Sequence, residues 1–167
     1  FKSTFKYEYL KDKIMKRIIF LVFLLSTYHF ILGQPSNEIQ KIVDKILAIT
    51  EKYNKAWETL NMEMVAKFHS DSSFRYYSNM KLLISSNADF KKLFPQYMNT
   101  TKSWKIEVSN PVVQVLDENV AVIGFTGKAE MITTANKVSD FGTGAYTYVW
   151  KKIDEEWKIV HIHDSTK

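Results

Sequence analysis

Residues 143–163, TGAYTYVWKKIDEEWKIVHIH, contain the most regular pattern in this chain of 167 residues. Aromatic and β-branched residues, which favour β-strands, dominate residues 143–153 and 157–163. The three acidic residues between these segments, 154–156, predict a turn. We therefore expect the chain to end in two antiparallel strands joined by a short connection.

Further strands are predicted upstream of this pair. Apolar and polar residues alternate over 104–108, and Pro111 interrupts the run in the manner of a bulge or an edge strand. Residues 112–116 and 120–125 are separated by a three-residue turn, and the second of these segments can extend to Thr133. A polar turn then leads into residues 143–153. The C-terminal part of the chain is thus expected to be an antiparallel meander.

Helical periodicity dominates the preceding part of the chain. Apolar residues recur every three or four positions from Ile39 to Trp57, which predicts one long amphipathic helix. Asn61 is expected to cap a short second helix, and residues 85–87 are expected to cap a third, with a kink or early end at Pro95. The short aromatic segment 74–77 is predicted to form a strand between them. Helices followed by strands predict an α+β fold in which the sheet curls over three N-terminal helices.

The first 33 residues are predicted to lie outside this domain. Residues 15–33 combine a short basic region with an apolar run, the layout of a signal peptide, and cleavage is expected between Gly33 and Gln34. The domain would then span residues 34–167 and be secreted or periplasmic, with no membrane attachment. The alternative is an uncleaved anchor, although the 15 residues 18–32 fall short of the roughly 20 that cross a bilayer. Residues 1–14 precede Met15 and are expected to be a non-native upstream segment.

The charge and composition exclude several functions. Six of the 23 Lys and Arg and two of the 18 Asp and Glu lie in residues 1–33, so the remaining 134 residues carry 17 basic and 16 acidic groups. That balance does not support binding to nucleic acid. The chain has no cysteine, which excludes disulfides, thiol nucleophiles, iron–sulfur clusters and cysteine-ligated zinc. We expect no cofactor.

The element order, together with the ending Trp157-x-Ile159-x-His161-x-His163-x-Ser165, resembles the nuclear transport factor 2-like superfamily. Within it, the ending looks like the association domain of calcium/calmodulin-dependent protein kinase II and its SnoaL-like relatives. The resemblance implies a cone-shaped half-barrel, a small-molecule pocket at its mouth, and a homodimer or higher homo-oligomer formed through the outer sheet face. Because the superfamily includes isomerases, dehydratases and assembly domains, the fold leaves the function open.

The last strand carries the first candidate site residues. Because alternate side chains of a strand share one face, Trp157, Ile159, His161, His163 and Ser165 are expected on the same face. The two imidazoles and the hydroxyl are then expected to contact a ligand in the pocket. Two alternatives remain open: these groups close the barrel by hydrogen bonds to buried neighbours, or the histidines bind a metal with His69 as third ligand. No catalytic zinc signature is present, so no metal is predicted.

Other candidates come from the first helix and the strands. Tyr53 and Trp57, one helical turn apart, and the strand residues Tyr76 and Tyr146 are expected to line the pocket, with an ordinary core role as the alternative. Arg75 is expected to hold a ligand carboxylate or Asp71, or to lie in solvent. The sequence thus predicts a domain that binds a small hydrophobic or carboxylated ligand.

The superfamily suggests three other functions. In the ketosteroid isomerase branch of this superfamily, the helical tyrosine would fall at Tyr53, but Tyr76 stands where the first strand should carry the catalytic carboxylate. Steroid isomerisation is therefore not expected. The remaining alternatives are an oligomeric assembly module without catalysis, and a cyclase, dehydratase or isomerase that uses His161 or His163 as its base.

Overall fold

The computed structural model describes residues 36–166, which form three helices and one six-stranded sheet. The predicted upstream segment, signal peptide and cleavage site lie outside the described residues. Within residues 36–166, no helix combines the length and the apolar character needed to cross a bilayer.

The three helices are α1 (Asn37–Glu58), α2 (Met62–Phe68) and α3 (Asn87–Met98). Each of the two shorter helices begins at the predicted cap. The Asn61 side chain accepts a hydrogen bond from the Met64 backbone N–H at 2.9 Å, and Ser86 Oγ accepts one from the Asp89 N–H at 3.0 Å. These bonds satisfy N–H groups that have no partner inside the helix. Pro95 does not end α3, which continues to Met98.

The sheet has the strand order β2-β1-β6-β5-β4-β3, with all neighbours antiparallel except the parallel pair β1 and β6. The strands are β1 (Arg75–Ser78), β2 (Lys81–Ile84), β3 (Thr101–Asp117), β4 (Val120–Thr133), β5 (Val138–Ile153) and β6 (Glu156–Thr166). The sheet is curved and unclosed, and the helices cover its concave side, so the predicted α+β half-barrel is confirmed.

The strand β2 was absent from the sequence prediction. It follows β1 through a two-residue turn, Asn79-Met80, in which both residues have positive φ angles of 46° and 67°. Such a turn suits the twist of a hairpin but is usually marked by glycine. This turn carries methionine where glycine would mark it, and the almost fully exposed Met80 gives no other sequence signal of a hairpin.

The core lies between α1 and the concave face of the sheet. Tyr53 of α1 packs edge-on against Tyr148 of β5 with ring centroids 5.4 Å apart, and Trp57 lies 6.0 Å from Trp104 of β3. The most deeply buried strand residues face the same side: Ile123, Trp150 and Ile159. Burial of these aromatic and branched side chains is the main favourable term in folding.

Several register shifts interrupt the sheet, and two of them bear on the predictions made from the sequence. The bulge expected at Pro111 is confirmed: the β3–β4 register shifts between Ser109 and Val112, and Asn110 has a φ of 52°. A second, unpredicted bulge lies in β6, where Trp150 pairs with Ile159 and the preceding Val149 pairs with His161. Val160 is the extra residue. Every side chain after it faces the opposite side from the one that regular alternation predicts.

Candidate functional site

The eight side chains expected to bind a ligand fall on opposite faces of the sheet. Tyr53, Trp57, Tyr76 and Tyr146 lie on the concave side, whereas Arg75, His161, His163 and Ser165 lie on the outer face. The expectation that His161, His163 and Ser165 share a face with Trp157 and Ile159 is wrong. The bulge at Val160 reverses the alternation and turns Ile162 and Asp164 inward instead.

Asp164 is the polar centre of the concave side, and the sequence reasoning did not select it. Only 6% of this residue is exposed. Its Oδ2 accepts a hydrogen bond from the Tyr76 hydroxyl at 2.5 Å, and its Oδ1 accepts one from the Ser78 hydroxyl at 2.6 Å. Both donors come from β1, the parallel neighbour of β6. Tyr146 of β5 pairs with Asp164 across the strands and so lies beside it.

The tyrosines around Asp164 are held in their neutral form. Burial, followed by the charge of Asp164, raises the pKa of the Tyr76 hydroxyl well above its usual value. Burial likewise raises the pKa values of Tyr53, Tyr146 and Tyr148, and the Asp164 charge adds to each. Near neutral pH these hydroxyls are therefore hydrogen-bond donors and acceptors but do not act as bases.

His69 forms a second buried polar group that contacts α1. Tyr53 Oη lies 3.1 Å from His69 Nε2, and Nδ1 of the same ring lies 3.2 Å from Asn87 Oδ1. The Asn87 Nδ2 group donates to the Ala66 carbonyl and to Asp71 Oδ1. Because the amide oxygen can only accept, His69 carries its proton on Nδ1 and accepts from Tyr53 on Nε2. Burial lowers the pKa of His69 to about 3, so the ring is neutral at physiological pH.

The outer-face histidines contact different groups. His161 stacks on Tyr77 with centroids 5.4 Å apart, and His163 is exposed. Partial burial and the neighbouring His163 lower the pKa of His161. His69 is buried on the concave side, so it cannot join the two outer histidines around one metal ion. Among residues 36–166, no three His, Asp or Glu side chains are close enough together to hold a metal.

Arg75 lies exposed on β1 and donates to the Phe74 carbonyl oxygen at 2.7 Å. Asp71, its expected partner, instead accepts hydrogen bonds from Lys91 and Asn87. A guanidinium on the outer face cannot reach a ligand beside Asp164. A ligand-binding role for Arg75 would therefore require a different, outer site.

Several aromatic side chains of the sheet and of α3 are only half-buried. They are Tyr76, Phe94, Trp104, Phe141 and Tyr146. Phe94 lies 6.5 Å from the Tyr76 ring, and Phe141 lies 5.4 Å from Trp104. In the described part of the chain, the buried Trp104 Nε1–H has no hydrogen-bond partner. Tyr146 stacks on Phe125 at 5.2 Å, and a Cβ at Gly127 or Gly144 would lie 3.2 Å from its ring. The two glycines thus make room for Tyr146.

A separate open cleft of about 1000 Å³ lies between α1 and the edge strand β3. None of the eight expected residues lines it. Its charged side chains include Lys55 and Glu58, which pair with each other at 2.9 Å. Within residues 36–166, the side-chain oxygens of Thr50 and Asn54 have no hydrogen-bond partner and are shielded from solvent.

Comparisons with known proteins agree with the fold. The family model described as the calcium/calmodulin dependent protein kinase II association domain matches residues 43–167. A candidate association domain from Xanthomonas campestris is 22% identical, with 74% of this chain and 86% of that chain covered and a TM-score of 0.63. The association domain of the Caenorhabditis elegans kinase is 18% identical over 80% of this chain and 100% of that chain, with a TM-score of 0.62.

Other similar structures have different names. A candidate scytalone dehydratase from Novosphingobium aromaticivorans is 14% identical over 80% of this chain and 89% of that chain, with a TM-score of 0.67. No curated protein sequence matches the chain. Likeness at these identities shows the fold alone, whereas the family model covers most of the chain. The protein belongs to the calcium/calmodulin dependent protein kinase II association domain family, within the nuclear transport factor 2-like superfamily.

Proposed function

We propose that this domain binds a small, mainly hydrophobic molecule on the concave side of its sheet, beside Asp164. The observation that supports this function is the group formed by Asp164, Tyr76 and Ser78 next to half-buried aromatic side chains. Ligand sites typically combine apolar walls with a few converging polar groups. The polar group would orient the molecule, and the aromatic rings would supply most of the contact area.

The position of Asp164 changes the expected ligand chemistry. A ligand carboxylate beside Asp164 would place two like charges in a poorly solvated region, which is unfavourable. Arg75, the residue expected to compensate a carboxylate, lies on the outer face. Of the two ligand classes expected from the sequence, the hydrophobic one is proposed here and the carboxylated one is not. His161 and His163 also face outward, so neither is proposed as a base for a molecule bound inside.

Native mass spectrometry of the purified protein tests ligand binding. We expect a bound small molecule under gentle conditions that is lost on denaturation, because the apolar walls and Asp164 would retain it. Tyr146→Ala removes one wall and should lower the bound fraction at least about tenfold, since a buried aromatic contact contributes about 1.5–3 kcal/mol. Tyr77→Ala is the matched control on the outer face. Equal retention by both variants, or no bound molecule in the wild type, would count against this function.

A second candidate function is assembly into a homo-oligomer through the outer face of the sheet. The family whose model matches is named for association, and the outer face presents apolar side chains that nothing in residues 36–166 covers. Val112 is 67% exposed, and Val122, Val149 and Tyr77 on the same face are half-buried. Exposed apolar surface of this kind is typical of a protein–protein contact. A second copy of this chain is the proposed partner.

Gly124→Lys tests the assembly. Gly124 faces outward between the buried Ile123 and Phe125, and a Cβ there would meet only the Tyr146 carbonyl oxygen, at 4.0 Å. The subunit should therefore accept the new side chain, while a lysine in the contact would bury a charge. We expect the mass from light scattering to fall from that of an oligomer to that of one subunit at micromolar concentration.

The control for this experiment is Gln96→Lys, which adds the same charge at an exposed position of α3. It should leave the oligomer intact, and both variants should unfold at nearly the wild-type temperature. A monomeric wild-type protein, or an oligomer unaffected by Gly124→Lys, would rule out assembly through this face.

A further inference from the structure

Among residues 36–166, Asp164 has no basic partner. Its two hydrogen bonds come from the neutral hydroxyls of Tyr76 and Ser78, and no Lys, Arg or His of residues 36–166 forms an ion pair or a hydrogen bond with it. Each carboxylate oxygen has a second lone pair that these donors leave unused. The side chain thus carries a charge that the described part of the chain does not neutralise.

Such a carboxylate is energetically unfavourable by itself. Moving a carboxylate out of water costs several kcal/mol, and hydrogen bonds from two neutral hydroxyls offset only part of that cost. The side chain could be replaced by an uncharged residue if its only role were to join β1 to β6. A positively charged group bound beside it would supply the missing counter-charge.

The surrounding rings also favour a cation. Tyr76 donates to Asp164, Tyr146 lies beside it across the strands, and Phe94 and Phe125 pack against these two rings. The faces of aromatic rings attract ammonium groups within about 6 Å, and this attraction grows when the group is shielded from water. The faces of these rings do not attract a ligand anion, and the charge of Asp164 would repel it.

We propose that the molecule bound on the concave side is a small organic cation, with its ammonium group on Asp164 and its apolar part against Tyr76, Tyr146 and Phe94. This inference rests on the proposed ligand-binding function and adds the charge of the ligand. It requires that a positively charged molecule binds more tightly than a neutral or negative molecule of the same size and shape.

Three probes of nearly equal size test the charge preference: 2-phenylethylamine, 2-phenylethanol and 3-phenylpropionate. Their dissociation constants would be measured for the full chain by titration calorimetry at pH 7 and low salt. We expect the amine to bind about 10- to 100-fold more tightly than the alcohol, as for a desolvated charge pair, and the carboxylate to bind most weakly. An alcohol or carboxylate that binds as tightly as the amine would overturn the proposed charge.

Asp164→Asn keeps the shape of the side chain and removes its charge. In this variant the amine and the alcohol should bind within about threefold of each other. Asp154→Asn removes the same charge from the exposed turn between β5 and β6, where asparagine tolerates the φ of 49°, and should keep the wild-type preference. A preference that survives in Asp164→Asn would overturn the role of Asp164.

If Asp164→Asn does not fold, the three dissociation constants of the wild type still test the charge preference. Ser78→Ala provides a second variant, because it removes one donor and leaves the carboxylate in place. Its preference for the amine over the alcohol should exceed that of the wild type, because the carboxylate keeps its charge and loses one donor, and a smaller preference than in the wild type would contradict the role of Asp164. Binding of none of the three probes, with no retained molecule in native mass spectra, would overturn both the ligand-binding function and this inference.

Discussion

We expect the free energy of unfolding to fall by about 3 kcal/mol between pH 7 and pH 4 through His69 alone. Burial lowers the pKa of this imidazole to about 3 in the folded chain, whereas the unfolded chain keeps the ordinary value of 6.5. Between pH 3 and pH 6.5 the unfolded state binds more protons than the folded state. The stabilisation due to neutral His69 is therefore fully present above about pH 6.5 and is lost as the pH falls. His69 is 2% exposed, so solvent screens the effect little.

Urea unfolding at intervals between pH 7 and pH 4 would measure this dependence. His69→Gln replaces the imidazole by an amide that does not titrate, so its stability should change less with pH than that of the wild type. His163→Gln is the matched control, since His163 is exposed on the outer face. Its free energy of unfolding should depend on pH as that of the wild type does. If the free energy of unfolding falls equally between pH 7 and pH 4 for the wild type and His69→Gln, the buried imidazole is not the cause of the loss of stability in acid.

Residues with strong local signals were predicted correctly. The spacing of apolar residues located α1, and the side chains of Asn61 and Ser86 located the starts of α2 and α3, because a cap satisfies backbone donors a few residues away. The meander of four long strands followed from the same local patterns and turns. Asn79-Met80 gave no such signal: its left-handed conformation is imposed by the pairing of β1 with β2, and the turn lacks the glycine that would announce it.

The candidate site was predicted only in part, for a reason that lies in β6. Tyr53, Trp57, Tyr76 and Tyr146 reach the concave side because α1, β1 and β5 keep their period there, although their role in ligand binding remains a prediction. One extra residue, Val160, exchanged the faces of His161 and Asp164. The sequence signals this change only by a break in the alternation: Ile159 and Val160 are adjacent apolar residues, and Ile162 follows. A bulge depends on the strands beside it, so the signal alone does not decide it.

His69 could not be recognised as a buried group from its position in the sequence. It follows α2 in a polar segment, where a solvent-exposed histidine is equally compatible with the pattern. Its burial results from residues distant in the chain or in other elements. The ring stacks on Phe74 with centroids 3.8 Å apart, meets Phe90 edge-on at 4.6 Å, and bonds to Tyr53 and Asn87.

Trp150→Ala is expected to lower the free energy of unfolding by about 3–5 kcal/mol. Trp150 is fully buried on β5, and its ring meets Tyr53 and Phe68 edge-on at 6.4 Å and 6.3 Å. Truncation would remove these two ring contacts between the helices and the sheet and leave a cavity, because close-packed neighbours relax only partly. Urea unfolding of both proteins, with Trp157→Ala as a half-buried control at the end of the sheet, would measure the loss.

Trp150→Phe should be much less harmful, at about 1 kcal/mol, although it also reduces the volume of the side chain. The Trp150 Nε1–H is buried and has no hydrogen-bond partner among residues 36–166, and an unsatisfied buried donor costs about 1–3 kcal/mol. Phenylalanine removes that donor while it keeps most of the aromatic contact, so the two effects partly cancel. A loss for Trp150→Phe as large as that for Trp150→Ala would mean that the indole N–H is satisfied in solution, for example by a bound water.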